Sequence, residues 1–391
     1  MKKFALVLVT VLLVLSCNNK GNSCLLLDVH EIDYRNKSDV TLTGVPVKTE
    51  WPIDIYVIGV CDSFLLVQSG EKTNMLYVYS DELELKGRFC NIGRARNEFL
   101  SMPSWNSKQI LRNSQGDALL PFLTHDQGVK VVDLQESLAA QSAVIASQNG
   151  FTGESIYEHE SPAQDGRIAR LHTYGDCIFL DDNINYRFEY YDPIILYGEV
   201  HKEPSCFVTR DSARIKEIRM FNGYKVPDMI YSGCFLFKHP SRNLIIQLYA
   251  ELDYIMFFDL DNDRNYAIHQ TGSLSFDDNF PEIIREEITN PDGTMSMRAS
   301  TIDHFMKAAC AESFFMVTYF AGDYSLNQPD QDHAAPELLF FDYDGNFLKS
   351  VKMDTRVNQM AYDEKRQILY TLDRYTESVY RYDLSSIIRS L

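Results

Sequence analysis

The stretch IDIYVIGVCDSFLLVQSGEKTNMLYVYSDELELKGRF, residues 53–89, decides the architecture. It contains four short apolar runs: IDIYVIGV from Ile53, FLLVQSG from Phe64, MLYVYSD from Met75 and LELKGRF from Leu83. Gly, Asp, Ser and Asn separate them. β-Branched and aromatic residues fill the runs and turn formers fill the gaps, which predicts four consecutive antiparallel strands in about forty residues.

Working outward, the same beat returns. LIIQLYA from Leu244, YIMFFDL from Tyr254 and NYAIHQT from Asn265 form one set. FFMVTYF from Phe314, ELLFFDY from Glu337 and FLKSVKM from Phe347 form another, with DYDGN as the hairpin turn. Fainter copies are ALLPFLT with VKVVDL, and CIFLDD with FEYYDP. With 23 Tyr, 23 Phe and few helical periodicities, the chain is predicted to be all-β. Repeated four-stranded antiparallel sheets predict propeller blades, and units of roughly 50–60 residues give six blades rather than seven.

The last repeat, VNQMAY, ILYTLDR and SVYRYDL from Val357 onward, has only three strands. CLLLDVHEIDY, residues 24–34, precedes the first full blade and has no neighbour of its own. This N-terminal strand is expected to close the last blade and leave no open sheet edge. Residues 277–310 break the rhythm. Asn279 as an N-cap, Pro281 just inside it and acidic first turns predict a small helical insertion there. Insertions of this kind lie on propeller faces, where they line a ligand site or merely decorate it.

The chain opens MKKFALVLVTVLLVLSCNNK. Lys2 and Lys3 precede an apolar run from Phe4 to Leu15 that is too short to span a bilayer, and Val14-Leu15-Ser16-Cys17 resembles a lipobox. Residues 1–16 are therefore read as a lipoprotein signal peptide and Cys17 as the lipid-attachment residue. Residues 17–23 form a polar flexible tether, and residues 24–391 a single propeller domain. Without the two signal-peptide lysines, 35 basic residues face 55 acids, a net charge of about −20. Such a body repels nucleic acid and anionic lipid faces, so membrane contact is expected through the lipid anchor only.

Lipobox, blade strands and the segment CNIGRARNEFL, residues 90–100, together resemble the TolB-like six-bladed β-propeller lipoproteins of Gram-negative bacteria. In that family the outer strand of the first blade runs into a segment like G-x-G-x-x-E-F. Gly93, Glu98 and Phe99 match it here, and Ala95 replaces the second glycine. The likeness spans nearly the whole mature chain as a pattern. It implies the fold and an envelope location, and most members carry no assigned activity. The tether lacks the acidic run that surface-export signals resemble, so the outer membrane facing the periplasm is the expected location.

CNIGRARNEFL also looks like part of a phosphate loop, but the following LSMPSW reads as an extended connection and not as a helix whose amides would hold an anion. It is read as a blade junction: Gly93 permits a turn, Phe99 packs between sheets, and Glu98 caps amides or pairs an Arg. Arg94 and Arg96 remain candidate ligand contacts.

Other chemistry is weakly signalled. DLDNDRN spaces Asp259, Asp261 and Asp263 like the start of a calcium loop, but Arg264 stands where Gly is needed and Gln270 where Glu is needed. It is read as a hairpin turn, as is DYDGN. YEHES (157–161) and RLHTYGD (170–176) bring His159 and His172 near carboxylates, although in a strand His159 points away from both adjacent Glu. There is no G-x-S-x-G, no H-E-x-x-H and no C-x-x-C. Cys17 apart, the seven remaining cysteines sit mostly in apolar strings, as small buried thiols do. Trp51 and Trp105 are read as packing residues.

The expected function is a membrane-anchored module that binds a protein or a small ligand in the cell envelope, without a catalytic site or cofactor. The alternative is a lactonase-like periplasmic hydrolase with calcium or another divalent metal in the channel, its ligands gathered from several blades. The enzyme requires three or more carboxylates, Asn or His converging at the channel mouth. The binding module requires an apolar or aromatic patch on one face.

Overall fold

The computed structural model describes residues 25–34, 40–105, 107, 109–124, 128–149, 174–182, 184–192, 205–211, 213–221, 234–249, 253–273, 275–277, 285–289, 295–299, 305–320 and 335–391. Six small sheets follow one another around a ring. Blade 1 consists of Ile55–Cys61, Phe64–Ser69, Leu76–Tyr79 and Leu85–Phe89, in that order from the axis outward. Blade 3 (174–219) and blade 4 (234–270) repeat this up-and-down order with four strands each. In blade 2 the inner strand is split into Ser104–Trp105 and Leu111–Arg112, both paired with Ala118–Thr124. Blade 5 begins with Phe305–Cys310 and blade 6 with Gln359–Asp363.

Why the strands read as continuous apolar runs follows from the packing. Six hydrophobic clusters occupy the six junctions between neighbouring blades. In Leu244–Tyr249, Ile245 and Tyr249 pack toward blade 3, while Leu244, Ile246 and Leu248 pack toward blade 5. A strand buried on both faces has no polar side to alternate with. The cluster between blades 6 and 1, including Tyr370, Leu372, Ile58 and Val67, closes the circle.

The N-terminal segment is a strap across successive blades. Leu26 N–H donates to the Met220 carbonyl at the end of blade 3 (2.7 Å). Strand β1 (Asp28–Ile32) then lies parallel to the outer strand of blade 4 as a fifth strand. Strand β2 (Thr41–Leu42) does the same on blade 5, and β3 (Val45–Pro46) pairs antiparallel with Ser378–Asp383 as the missing fourth strand of blade 6. The N-terminus thus closes the last blade, as expected, but through Val45–Pro46. From the segment expected to do so, Asp28–Ile32 serves blade 4 instead, because an edge strand pairs wherever an unpaired outer strand faces it.

Between β1 and β2, Tyr34 is wholly buried at the junction of blades 4 and 5. Its hydroxyl donates to the Asp253 carbonyl at 2.9 Å, and its N–H donates to Gln270 Oε1 at 2.9 Å. Together with Leu25 and Leu42, which bury in the neighbouring junctions, this side chain fastens the strap to the ring.

A helical insertion is expected at 277–310, but the described residues of that stretch form no helix. Arg285–Thr289 and Met295–Ala299 are an antiparallel hairpin, and Phe305–Cys310 is already the inner strand of blade 5. Asn-Pro-Asp-Gly at 290–293 separates two β-compatible runs, a turn signal that outweighs the acidic helix-start pattern before it. Among the described residues the helices are α1 (Leu134–Ala140) and α2 (Ser385–Ile388). Asp133 caps α1 by accepting the Glu136 N–H at 2.9 Å, and Leu134 buries into the junction of blades 1 and 2.

A belt of polar contacts bridges all six junctions on the face that carries the turns after each inner strand. Arg112 grips Asp62 through two nitrogens at 2.7 and 3.0 Å, and its own N–H donates to Asp182 at 2.8 Å. Lys216 pairs with Asp263, and Ser241 Oγ donates to Glu312. Glu312 N–H donates to Glu364 at 3.0 Å, and Arg366 reaches Asp81 at 3.8 Å. Exposed pairs of this kind contribute about 0–1 kcal/mol each, so the six apolar clusters dominate stability and the belt fixes register.

Candidate functional site: axial cavity and opposite face

The inner strands converge on an axial cavity of about 420 Å³ to which every blade contributes, through Val60, Gln109, Phe179, Lys238, Ala309 and Met360 among others. Where the split inner strand of blade 2 leaves a gap, Gln109 acts as a surrogate peptide. Its Oε1 accepts the Phe179 N–H at 2.9 Å and its Nε2 donates to the Phe179 carbonyl. Gln68 does the same for blades 1 and 2, donating to the Pro103 carbonyl at 2.8 Å and accepting the Trp105 N–H at 3.4 Å.

The cavity's charged lining is Lys238, His239, Asp181 and Asp182. Lys238 ends the inner strand of blade 4, and its Nζ makes one long bond, to the His239 carbonyl at 3.4 Å. Burial lowers its pKa, outweighing the opposing pull of Asp261, Asp182, Asp181 and Glu312. No carboxylate among the described residues comes within ion-pair distance of it. His239 is buried against Tyr343, ring centroids 4.1 Å apart, and its Nδ1 accepts the Ser241 N–H at 3.1 Å. That bond places the neutral ring's proton on Nε2, and burial lowers its pKa further. The ring therefore holds a turn. Asp181 and Asp182 are exposed at the mouth.

Among the described residues no three His, Cys, Asp or Glu side chains converge as metal ligands would. Cys61 and Cys90 are free, buried thiols. Burial pushes the Cys61 thiol up to about 12, with Asp62 adding to it, so it stays protonated at neutral pH. Asp259 is occupied by Arg242 and Asn262, and Asp261 by Asn243, so DLDNDRN is a hairpin turn. Asp342 likewise accepts from Asp344 and Asn346 within DYDGN. YEHES, with His159, and His172 lie outside the described residues, as does Cys17.

CNIGRARNEFL is the junction from blade 1 to blade 2. Gly93 N–H donates to the Phe99 carbonyl and Phe99 N–H to the Asn91 carbonyl, both at 2.8 Å. Glu98 accepts the Ala95 N–H at 2.9 Å, and its carboxylate packs into the space that a Cβ on Gly93 would need. Phe99 is fully buried against Phe122, with the buried Lys130 over its ring. Lys130 Nζ donates to the Glu98 carbonyl and, at 3.4 Å, to that of Arg96. Arg94 and Arg96 are exposed on this loop and make no ion pair among the described residues. Trp51 packs on Tyr79 and Trp105 on Phe122.

The loop belongs to the face opposite the acidic turns, and that face carries an aromatic and arginine patch. Tyr375 is 60% exposed, Tyr56 39% and Ile53 71%. Arg356 stacks over Tyr375 and Arg374 over Tyr56, each 4.8 Å from the ring centroid. Arg356 Nη1 is buried with no hydrogen-bond acceptor among the described residues. Sequence reasoning missed this patch because its members come from three separate connections that only the ring brings together.

No protein-family model matches the chain, and no curated protein matches it. Solved structures match at the level of shape. A member of the duf4221 family from Bacteroides vulgatus aligns over 87% of this chain and 95% of its own, at 8% identity and a TM-score of 0.46. A chain of the mitotic checkpoint complex aligns over 93% and 99%, at 11% identity and 0.45. The Cps50 (Swd1) β-propeller domain aligns over 88% and 100%, at 9% identity and 0.40.

Proposed function

We propose that this chain is a lipid-anchored binding module of the cell envelope, held at Cys17 and facing the periplasm from the outer membrane. It presents the Tyr56–Tyr375 face to a protein partner. One observation carries the reading: in a strongly acidic chain, exposed tyrosines and an isoleucine share a face with two arginines stacked on those tyrosines. Tyr and Arg are the residues that dominate interface energetics, since they combine large contact area with directional hydrogen bonding. Arg374, exposed and stacked on Tyr56, keeps a guanidinium edge open to a carboxylate, so the partner presents an acidic segment. Arg94 and Arg96, on a loop of the same face, extend the cationic surface. The signal sequence and lipobox support the anchor, as does the likeness to the TolB-like propeller lipoproteins.

Two outcomes are expected. Cys17→Ala abolishes labelling by a fatty-acid analogue in growing cells, and persistent labelling sinks the anchor. Arg374→Glu combined with Tyr375→Ala leaves the unfolding midpoint of the purified protein within a degree or two, because surface changes away from the core cost little. The same pair weakens association with the partner more than tenfold, as expected when two anchor residues are lost. Unchanged association in a folded double variant removes the face from consideration.

A further inference from the structure

The geometry points to the axial cavity as a site for a small zwitterionic ligand with an apolar body, whose carboxylate meets Lys238 and whose ammonium meets Asp181 and Asp182. This inference concerns a second site at the other end of the ring and stands independently of the partner face.

The walls supply the apolar part. Val60, Ile110, Leu111, Phe179 and Met360 line the cavity, and about 420 Å³ falls in the lower range of small-molecule sites. The charges are segregated. Lys238 is partly buried among these walls, whereas both aspartates are exposed at the rim. Lys238 lacks a carboxylate within ion-pair distance among the described residues, and its one hydrogen bond is long. A desolvated ammonium in that state gains most from an anion brought in by a ligand. An anion alone would have to pass the two aspartates at the rim, within a field to which Asp261 and Glu312 add. A molecule carrying its own positive group meets attraction both at the rim aspartates and at Lys238. A purely cationic ligand would satisfy the aspartates but leave Lys238 facing a like charge.

The test uses the full-length protein purified in detergent and three probes in titration calorimetry: leucyl-leucine, N-acetyl-leucyl-leucine and leucyl-leucine amide. Leucyl-leucine is expected to bind tightest. Removing either charged end should weaken binding about ten- to hundredfold, the range for losing one charge-assisted contact. Lys238→Met should abolish the advantage of leucyl-leucine over its amide, by weakening the zwitterion and relieving the like charge that the amide faces. The site is overturned if none of the three probes binds, if a capped probe binds as well as the zwitterion, or if Lys238→Met leaves leucyl-leucine affinity intact. The comparison of probes on the unaltered protein stands whether or not the variant folds.

Discussion

Tyr34→Ala is expected to lower the unfolding free energy by about 3–5 kcal/mol, the range for removing a fully buried aromatic ring. The ring meets Tyr319 and Phe341 edge-on at 5.5 Å and lies 6.2 Å from Phe305, so its loss opens the junction of blades 4 and 5. It also releases the strap, since β1 and β2 otherwise hold on by five and two residues at sheet edges. Tyr34→Phe removes only the hydroxyl that donates to the Asp253 carbonyl, and should cost about 1 kcal/mol. Denaturant unfolding of the two variants separates these contributions. The strap of Tyr34→Ala should also become cleavable by protease under native conditions. A loss below about 1 kcal/mol for the alanine variant would mean that the strap is fastened elsewhere.

Phe99→Ala is expected to cost a similar amount, about 3–5 kcal/mol, for a different reason. Phe99 is a side chain from a connecting loop that fills the core between blades 1 and 2. Its ring lies 5.3 Å from Phe122, and the Lys130 ammonium sits 5.3 Å above it. Removing it leaves a cavity beside a buried cation, so the usual cavity cost is joined by loss of the cation's ring contact. Because the Phe99 backbone bonds to both Asn91 and Gly93, amide hydrogen exchange across residues 91–99 should accelerate together. Retained protection in the variant would show that backbone bonds alone hold the junction.

Much of the ring was legible in the sequence because strands buried on both faces leave long apolar runs, as in LIIQLY and FLLVQS. Blades 1, 4, 5 and 6 carry such runs and were readable one by one. Gly93, Glu98 and Phe99 were legible as a junction because the residues after them cannot start a helix. The strap's course was not. A parallel edge pairing such as Asp28 with Tyr266 leaves no local mark, and Val45–Pro46 is too short, with a proline that lacks an N–H, to look like a strand. The insertion at 277–310 misled because acidic residues after an Asn fit a helix start as well as a hairpin arm. Lys238 was overlooked since CFLFKHPS shows only a strand meeting a turn. Aligning the ends of the six inner strands would have found it: they read Cys61, Arg112, Phe179, Lys238, Cys310 and Asp363. Only one is a lysine.

The proposed binding face is tested most directly by placing a photo-crosslinking amino acid in living cells, in place of Tyr375 on that face or Asp344 on the opposite, acidic face. A single discrete adduct is predicted from position 375, lost when Arg374→Glu is added, with none from position 344. An adduct of equal yield from position 344, or none from position 375 in a folded and membrane-localised protein, would contradict the assignment.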